Sequence, residues 1–330
     1  MKRAALPLTL TLAACGDLPG DTGCDSCACI AHPGLIQQFP EDADASFFYR
    51  SDLWFRHGAT TTTQSINVYD STGAAVDGTV TNFPGNVTQF VPTAQLTPGA
   101  AYTWHQVSDE CESETAHPFT VSDVGSPITD VASLSGNTWR MAPSAGRPPA
   151  DAPEKAALLD LTTEDLLLTI TEINGDTLSG ISASSTDPGG PQNLCVPTTP
   201  LTLTITEDPW GTGTIDGGWV GVSGQAIPTW GGTVSGAFSS DGSRIEGVSL
   251  RTVIDVPGAL ASTGEDLCEL LAPVGVDCET CEGATDGSKD CLLFAADGLI
   301  GTNVGDPVVI EITKDQVDQN PDCQVSTTSR

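Results

Sequence analysis

Short stretches of alternating apolar and polar residues, separated by turn residues, fill the chain from residue 36 to residue 123. In one of them, Leu53, Phe55 and His57 alternate with Trp54 and Arg56. Successive side chains of a β-strand point to opposite faces of the sheet, so this alternation predicts strands with one buried face. Several such strands with turns between them are typical of a β-sandwich.

The chain beyond residue 131 contains two strong β-hairpin patterns. One runs from Leu166 to Ile181 around Asn174-Gly175, and the other runs from Val234 to Ile254 around Asp241-Gly242. Asn-Gly and Asp-Gly readily adopt the positive φ angles of tight hairpin turns. The pattern predicts an antiparallel β domain that is either a sandwich or a closed barrel. We expect one filled core, and its inward-pointing residues include Leu168, Ile170, Leu203, Ile205, Phe238 and Val253.

One short helix is predicted near 262–272. Ser262-x-x-Glu265 has the form of a capping box, and apolar residues at helical spacing follow it, with Cys268 among them. The proline-rich segment from Arg147 to Pro153 predicts a surface loop. The fold is therefore predicted to be all-β, with a β-sandwich followed by a larger antiparallel β domain that includes this one helix.

The first 15 residues have the three parts of a secretory signal. Lys2 and Arg3 give a positive start, residues 4–12 are mainly apolar, and small residues precede Cys15. The apolar stretch is too short to remain as a membrane-spanning helix. Its end, Leu12-Ala13-Ala14-Cys15, resembles the lipobox of bacterial lipoproteins. The resemblance implies cleavage before Cys15, a diacylglycerol on its sulfur and an acyl chain on the new amine.

The same resemblance predicts where the protein resides. Each buried methylene contributes about 0.8 kcal/mol, so several acyl chains anchor a protein stably to a membrane. In that family an aspartate directly after the cysteine retains the protein at the inner membrane. Gly16 stands there in this chain, which favours the outer membrane. An ordinary secretory signal that happens to contain a cysteine is the alternative.

These patterns divide the chain into five segments. Gly125, Ser126 and Pro127 break the alternation and indicate a boundary between the two β domains. The predicted segments are a signal peptide over 1–14, a tether with a cysteine cluster over 15–35, a sandwich over 36–123, a linker over 124–131 and the second β domain over 132–330.

The segment from Leu96 to Tyr102 has the form of a tyrosine corner, in which a turn is followed by a tyrosine that opens a strand. Together with Val68-Tyr69-Asp70 and Phe90-Val91-Pro92, it resembles bacterial Ig-like domains of the surface-layer type. The resemblance implies an Ig-like sandwich in which the Tyr102 hydroxyl bonds to the backbone upstream. Cys111 departs from it, since many relatives have no cysteine after that strand.

The second β domain opens with Gly136-x-x-Trp139. This is similar to the opening Gly-x-Trp of calycin barrels such as lipocalins, with one residue more. The resemblance implies a barrel whose interior carries an apolar small molecule. Aromatic residues are scarce, however, and this favours a filled interior. We therefore expect binding by exposed loops that carry Trp210, Trp219 and Trp230.

The chain is strongly acidic, with 43 Asp and Glu residues against 12 Lys and Arg residues and a formal net charge of −31. Such a chain is a poor partner for nucleic acid or an anionic membrane surface, because like charges repel. The acids are dispersed, as on a solvated surface, and none follows the calcium-loop pattern. Calcium is a weaker hypothesis, with the candidate ligands Asp42, Asp44, Asp286 and Asp290.

The cysteines other than Cys15 indicate disulfides, since the chain is predicted to be exported. Each predicted domain has an even number of them, namely Cys24, Cys27, Cys29 and Cys111 in the first part and Cys195, Cys268, Cys278, Cys281, Cys291 and Cys323 in the second. We predict the pair Cys29–Cys111. A redox pair at Cys24-x-x-Cys27 lacks a following strand and helix, and a zinc site around Cys278-x-x-Cys281 lacks a nearby histidine.

The sequence carries no catalytic motif. It has no Gly-x-Ser-x-Gly elbow, no His-Glu-x-x-His and no glycine-rich phosphate loop. His57, His105 and His117 lie on separate predicted strands, where histidines usually pack or face solvent. The sequence therefore predicts a lipid-anchored envelope protein with a structural or binding role, without a cofactor and with an unidentified protein or glycan partner. A carrier of an apolar small molecule is the alternative.

Overall fold

The structure is a computed structural model, and it describes residues 33–60, 63–108, 111–113, 115–222, 225–264, 266–279, 290–305 and 309–323. The lipobox with Cys15, the predicted partner Cys29 and three further candidates lie outside these residues, namely Cys24, Cys27 and Cys281. Asp286 lies outside them as well.

Two β-sheets form a sandwich over residues 35–121. The first sheet has the order β1-β3-β6-β5 and is antiparallel; it consists of β1 (Leu35–Phe39), β3 (Leu53–His57), β6 (Val87–Pro92) and β5 (Gly78–Phe83). The second has the order β2-β9-β7-β4; it consists of β2 (Asp44–Phe47), β9 (His117–Val121), β7 (Ala101–Ser108) and β4 (Gln64–Asp70), with β8 (Cys111–Glu112) beside β7. β2 and β9 pair in parallel. The predicted sandwich is thus present.

Large aromatic side chains fill the space between the two sheets. Trp104 on β7 stacks on Phe55 of β3, with ring centroids 5.6 Å apart and an interplanar angle of 7°. Both rings are almost fully buried, and Ile66 and Val68 of β4 lie in the same core. Burial of these large rings is a major source of the sandwich's stability.

Trp54 points to the other side of β3, as its alternation with Phe55 predicts, yet it is also buried. Its ring packs against Val87 of the sandwich and Ala150 of the second domain. The second domain therefore covers the outer face of this sheet around Trp54. Both faces of β3 are buried for this reason.

Tyr102 is the second residue of β7, and its hydroxyl is hydrogen-bonded to the turn that precedes this strand. Tyr102 Oη accepts a hydrogen bond from the backbone N–H of Thr97 at 3.1 Å. Gly99, between the two residues, has φ +75°, a value that glycine adopts without steric cost. The turn from Thr97 to Tyr102 is closed by this bond.

The second domain is a closed barrel of eight antiparallel strands. The strands follow one another around it as β10 (Thr138–Met141), β11 (Leu166–Asn174), β12 (Thr177–Ser184), β13 (Thr199–Glu207), β14 (Trp210–Ile215), β16 (Gln225–Phe238), β17 (Arg244–Asp255) and β18 (Cys291–Asn303). β18 pairs back to β10, and β14 pairs with both β13 and β16. β15 (Gly218–Val222) extends β16 as a hairpin. Both predicted hairpins are present, at β11–β12 and β16–β17.

Side chains fill the barrel interior. Trp139 and Phe238 are fully buried and meet edge to face, with ring centroids 5.2 Å apart. The cavity that remains at one end, near Phe294 and Leu201, measures about 50 Å³. Small-ligand pockets usually measure about 300–1,000 Å³, so this space is too small for such a ligand.

Most of the predicted core residues point into this interior, and one does not. Leu168, Ile170, Leu203 and Phe238 are buried, and Ile205 packs against them, whereas Val253 is only half-buried and lies outside the core. The prediction for Val253 was wrong because the pairing register of β17 with β18 shifts between Ile245 and Leu250. Such bulges reverse the alternation of the residues that follow, so that Thr252 and Ile254 point inward instead.

In the described part of the chain, four short α-helices accompany the strands, namely α1 (Ala156–Asp160), α2 (Val256–Thr263), α3 (Leu267–Leu271) and α4 (Lys314–Gln319). A helix lies in the predicted region near 262–272, but its start differs. Ser262 lies in the last turn of α2, and α3 begins after Asp266, whose carboxylate accepts from the N–H groups of Cys268 and Glu269. Gly264, with φ +75°, ends α2, which explains why two helices replace the predicted one.

Two disulfides lie entirely within the described part of the second domain. Cys268 on α3 is bonded to Cys278, and Cys195 is bonded to Cys323 beyond α4. Cys291 is also in a disulfide. These bonds confirm the predicted role of these cysteines. Within the described ranges, no helix is both long enough and apolar enough to cross a membrane.

Candidate functional site

The two domains meet along a cleft that is built around the segment 143–151. This segment follows β10 of the barrel and reaches the outer face of the sandwich, where Ala150 packs on Trp54. Pro148 and Pro149 are buried with it, so the prediction of a surface loop was wrong. Proline has no backbone N–H, so burying these two residues leaves fewer donors to satisfy.

The larger part of the cleft, which we call the acidic lobe, has a volume of about 750 Å³. β1 and the turn after it form one wall, and residues of β18 and α1 form another. Its charged lining consists of one arginine, Arg147, and of the acidic residues Glu41, Asp42, Asp44, Asp160 and Asp297. The lobe is polar and carries a net negative charge.

The smaller part, which we call the arginine lobe, has a volume of about 400 Å³. Arg50, Arg147 and Arg251 line it, together with Trp210 and further residues of both domains. The two lobes share Phe48, Ser51, Arg147, Gly247, Asp297 and Gly298. The two lobes are therefore neighbours within the cleft, and Arg147 lines both of them.

Arg147 is fixed from three directions. Its backbone N–H and C=O pair with Asp297 on β18, with both N···O distances 2.9 Å. The guanidinium carbon lies 3.8 Å from the centroid of the Phe39 ring, a cation–π contact. Nη2 donates to Asp52 Oδ1 at 2.8 Å. The side chain is 11% exposed, yet Nε and Nη1 have no hydrogen-bond partner among the described residues.

Asp52 is the counter-ion of Arg147. Its second oxygen accepts a hydrogen bond from the Gln89 amide. Burial of the Asp52 carboxyl acts to raise its pKa, but the Arg147 guanidinium and the Gln89 amide more than offset this, so the pKa lies below its usual value. The carboxyl is therefore ionised at neutral pH, and the pair joins the sandwich to the segment 143–151.

Asp297 is the counter-ion of a second arginine, Arg251. One of its oxygens accepts from Arg251 Nη2 at 3.1 Å, and the other accepts from the Ser249 hydroxyl. Asp297 and Gly298 lie at an irregularity of β18, and Gly298 has φ +71°. A Cβ at Gly298 would lie 3.3 Å from Arg147 Nε. Glycine thus leaves space beside this unpartnered N–H.

Aromatic rings lie at the junction of the two domains in the arginine lobe. Phe48 of the sandwich stacks on Trp210 of the barrel, with ring centroids 5.6 Å apart and an angle of 25°. The Arg50 guanidinium lies 5.1 Å from the Trp210 ring centroid and pairs with Glu207 at 2.5 Å. The hydrogen bond from Arg50 lowers the pKa of the Glu207 carboxyl.

The weak calcium candidates are not assembled into a site among the described residues. Asp42 and Asp44 both line the acidic lobe, but Asp42 pairs with His117 Nδ1 at 2.7 Å and Asp44 binds Ser46. Burial of Asp42 acts to raise its pKa, and the hydrogen bonds from His117 and Gln38 outweigh this, so the pKa is lowered. Asp290 lies elsewhere, and no group of three potential metal-ligating side chains occurs in the described parts of the chain.

The three histidines of the described residues, His57, His105 and His117, do not form one cluster. Nδ1 of His57 bonds to the carbonyl of Gly58, and Nδ1 of His105 bonds to the carbonyl of Ser113. His117 stacks on Trp104, with centroids 4.1 Å apart. Each ring is part of the local packing of the sandwich.

The three tryptophans that were expected on exposed loops lie elsewhere in the structure. Trp210, Trp219 and Trp230 all lie on strands, and only Trp230, at 43%, is largely exposed. Trp219 lines the small cavity of the barrel. Trp210 alone contributes to the cleft.

Sequence patterns missed the residue at the centre of the cleft. Arg147 stands next to two prolines in a segment without periodicity, a pattern that predicts a loop. Its rarity was the available signal, because Lys and Arg together number only 12 in the chain. Three of these cations converge in the arginine lobe.

The fold and the cleft define a two-domain β protein in which a sandwich and a closed barrel share one polar cleft. No family model matches the chain, and no curated protein matches it. CopC from Methylosinus trichosporium OB3b is 20% identical over 28% of this chain and 94% of its own, with a TM-score of 0.23. The LD transpeptidase LdtMt1 in complex with imipenem is 12% identical over 60% of this chain and 80% of its own, also with a TM-score of 0.23. At these TM-scores neither similarity indicates a function.

Proposed function

We propose that this protein is an exported, lipid-anchored envelope protein that binds a ligand or partner in the cleft between its two domains. In this proposal Cys15 carries the lipid, and the outer membrane is the favoured location. The sandwich and the barrel together form the walls of the site. The protein acts in binding or adhesion rather than in catalysis.

Two observations support export. The N-terminal residues follow the order of a lipoprotein signal up to Cys15. The barrel domain carries the disulfides Cys195–Cys323 and Cys268–Cys278, and disulfides persist in oxidising compartments outside the cytoplasm.

The observation that carries the binding role is the state of Arg147. Two of its donor atoms have no partner among the described residues, although the side chain is mostly buried and lines both lobes. Most buried polar groups are hydrogen-bonded, and leaving one unpaired costs about 1–3 kcal/mol. A bound ligand would satisfy these donors.

A carrier function inside the barrel receives no comparable support. The interior cavity measures only about 50 Å³. We therefore favour the cleft over the barrel interior as the binding site.

The anchor is tested by replacing the predicted lipidated residue. Wild-type protein and the variant Cys15→Ala are expressed with a clickable fatty-acid probe. We expect the probe to label only the wild type and the variant to leave the membrane fraction. Equal labelling of both proteins would show that Cys15 is not the lipidation site.

The cleft is tested with envelope material of the producing organism. Purified full-length protein is incubated with immobilised envelope fragments, and the retained amount is measured. The variant Asp151→Trp places a large side chain at the exposed rim of the arginine lobe, and Asp77→Trp makes the same change at an exposed site outside the cleft. We expect retention to be lost only in Asp151→Trp. Retention that is absent, or equal in both variants, would overturn the proposal.

A further inference from the structure

We propose that the arginine lobe binds a neutral oligosaccharide, an inference that rests on the binding function proposed for the cleft. The charged groups that line the lobe are the guanidinium groups of Arg50, Arg147 and Arg251 and the carboxylates of Asp52, Asp151 and Asp297. Positive and negative groups are equal in number there, although the chain as a whole carries a net charge of −31. The lobe therefore differs from the rest of the protein.

This balance indicates the charge of the ligand. Arg147 is already paired with Asp52, and Arg251 with Asp297. A net anion entering the lobe would approach Asp52, Asp151 and Asp297, and a net cation would approach the three guanidinium groups. An apolar ligand would remove the same groups from water without replacing their hydrogen bonds, which is unfavourable. The lobe fits a neutral polar molecule.

Arg147, which lines both lobes, carries two hydrogen-bond donors without partners among the described residues. They are its Nε and Nη1. The two Arg147 donors diverge from one another on the planar guanidinium, so they need two separate acceptors. Hydroxyl groups can accept these bonds and can also donate to the neighbouring carboxylates.

A sugar unit carries several hydroxyl groups close together, whereas a peptide unit carries one donor and one acceptor. The closely spaced donors of Arg147 therefore favour the sugar. The ring of Phe83 also lines the lobe and offers apolar surface to the C–H face of a sugar ring. The volume of about 400 Å³ lies within the usual range for ligand sites.

The test uses full-length protein and four immobilised sets of probes: neutral oligosaccharides, oligosaccharides of uronic acids, sulfated oligosaccharides and neutral tetrapeptides. We expect saturable binding to at least one neutral oligosaccharide. Arg147→Lys keeps the positive charge but loses the planar donors, and it should weaken binding at least about tenfold, the loss expected for a hydrogen bond to a charged group. Arg140→Lys is the matched control, because Arg140 pairs with Asp165 on the barrel, outside the cleft.

Asp151→Trp is the second variant and keeps the test decisive if Arg147→Lys fails to fold. It should abolish binding of the same oligosaccharide, while Asp77→Trp should bind it like the wild type. Binding of tetrapeptides only, of charged oligosaccharides only, or of no probe would overturn the inference. If envelope retention through the cleft persists in that case, the proposed binding function stands and only the ligand class is wrong. Loss of envelope retention instead overturns the binding function itself.

Discussion

The ring of Phe48 occupies the space that a side chain on Gly247 would need. A Cβ at Gly247 would lie 2.1 Å from Phe48 Cδ1, and the backbone there has φ +60°. Gly247 is at an irregularity of β17 in the barrel, and Phe48 follows β2 of the sandwich. The two domains are therefore in contact through a position at which only glycine fits.

Gly247→Ala should destabilise the protein by forcing Phe48 out of this position. Overpacking costs about 1–3 kcal/mol, and the positive φ adds about 1–2 kcal/mol for a residue with a Cβ. The matched control is Gly73→Ala, because Gly73 has φ +83° but no atom within 4 Å of its Cβ position. We expect the Tm, measured by circular dichroism, to fall further in Gly247→Ala. Equal Tm losses would contradict the packing argument.

Asp52→Asn should lower the Tm at neutral pH, and the difference from the wild type should shrink in acid. The pKa of Asp52 is lowered in the folded protein, so its ionised form stabilises the fold at pH values above its unfolded pKa of about 3.9. This contribution is lost as the pH falls through the folded pKa. Thermal unfolding from pH 2 to 7 measures the difference, with Asp77→Asn as the control. A difference that stays constant down to pH 2 would argue against the linkage.

Glu246→Gln should show the opposite trend. Burial raises the pKa of Glu246, despite its bond with Arg244 Nη1 at 2.7 Å. Ionising a carboxyl with a raised folded pKa costs stability, so the wild type loses stability as the pH rises through that pKa. We expect the Tm of Glu246→Gln relative to wild type to increase between pH 4 and pH 8. A relative Tm that decreases over this range would show that the ionised form is the stabilised one.

The disulfide Cys195–Cys323 should be needed to keep α4 in place. No residue of α4 is buried, so this helix has little packing of its own. Isolated helices of this length are marginal in water. In Cys323→Ser we expect rapid amide hydrogen exchange at residues 314–319, with protection of the barrel strands retained. The double variant Cys268→Ser and Cys278→Ser is the control and should leave α4 protected; equal exposure of α4 there would contradict the prediction.

The barrel should not bind fatty acids. Its cavity of about 50 Å³ is several times smaller than a usual ligand pocket. Titration of the full-length protein with a fluorescent fatty acid should give no saturable signal. Stoichiometric binding that Phe238→Trp abolishes would support the carrier function instead, because Phe238 is at the centre of the core.

Strand patterns predicted most of the fold. The hairpins around Asn174-Gly175 and Asp241-Gly242 formed at the expected turns because their signal is local. Local patterns do not decide between a sandwich and a barrel, because the choice depends on whether β14 pairs with β16. Val253 was misplaced for a related reason: a bulge at Gly247 changes which side of the strand faces inward several residues later.

The candidate site could not be predicted from local patterns. Its members Asp52, Arg147 and Asp297 are far apart in the chain and carry no motif. The sequence by itself determined most of the strands and turns, because these depend on neighbouring residues. Only the tertiary structure decided the closed barrel, the buried proline segment and the cleft, because each depends on contacts between residues that are distant in the chain.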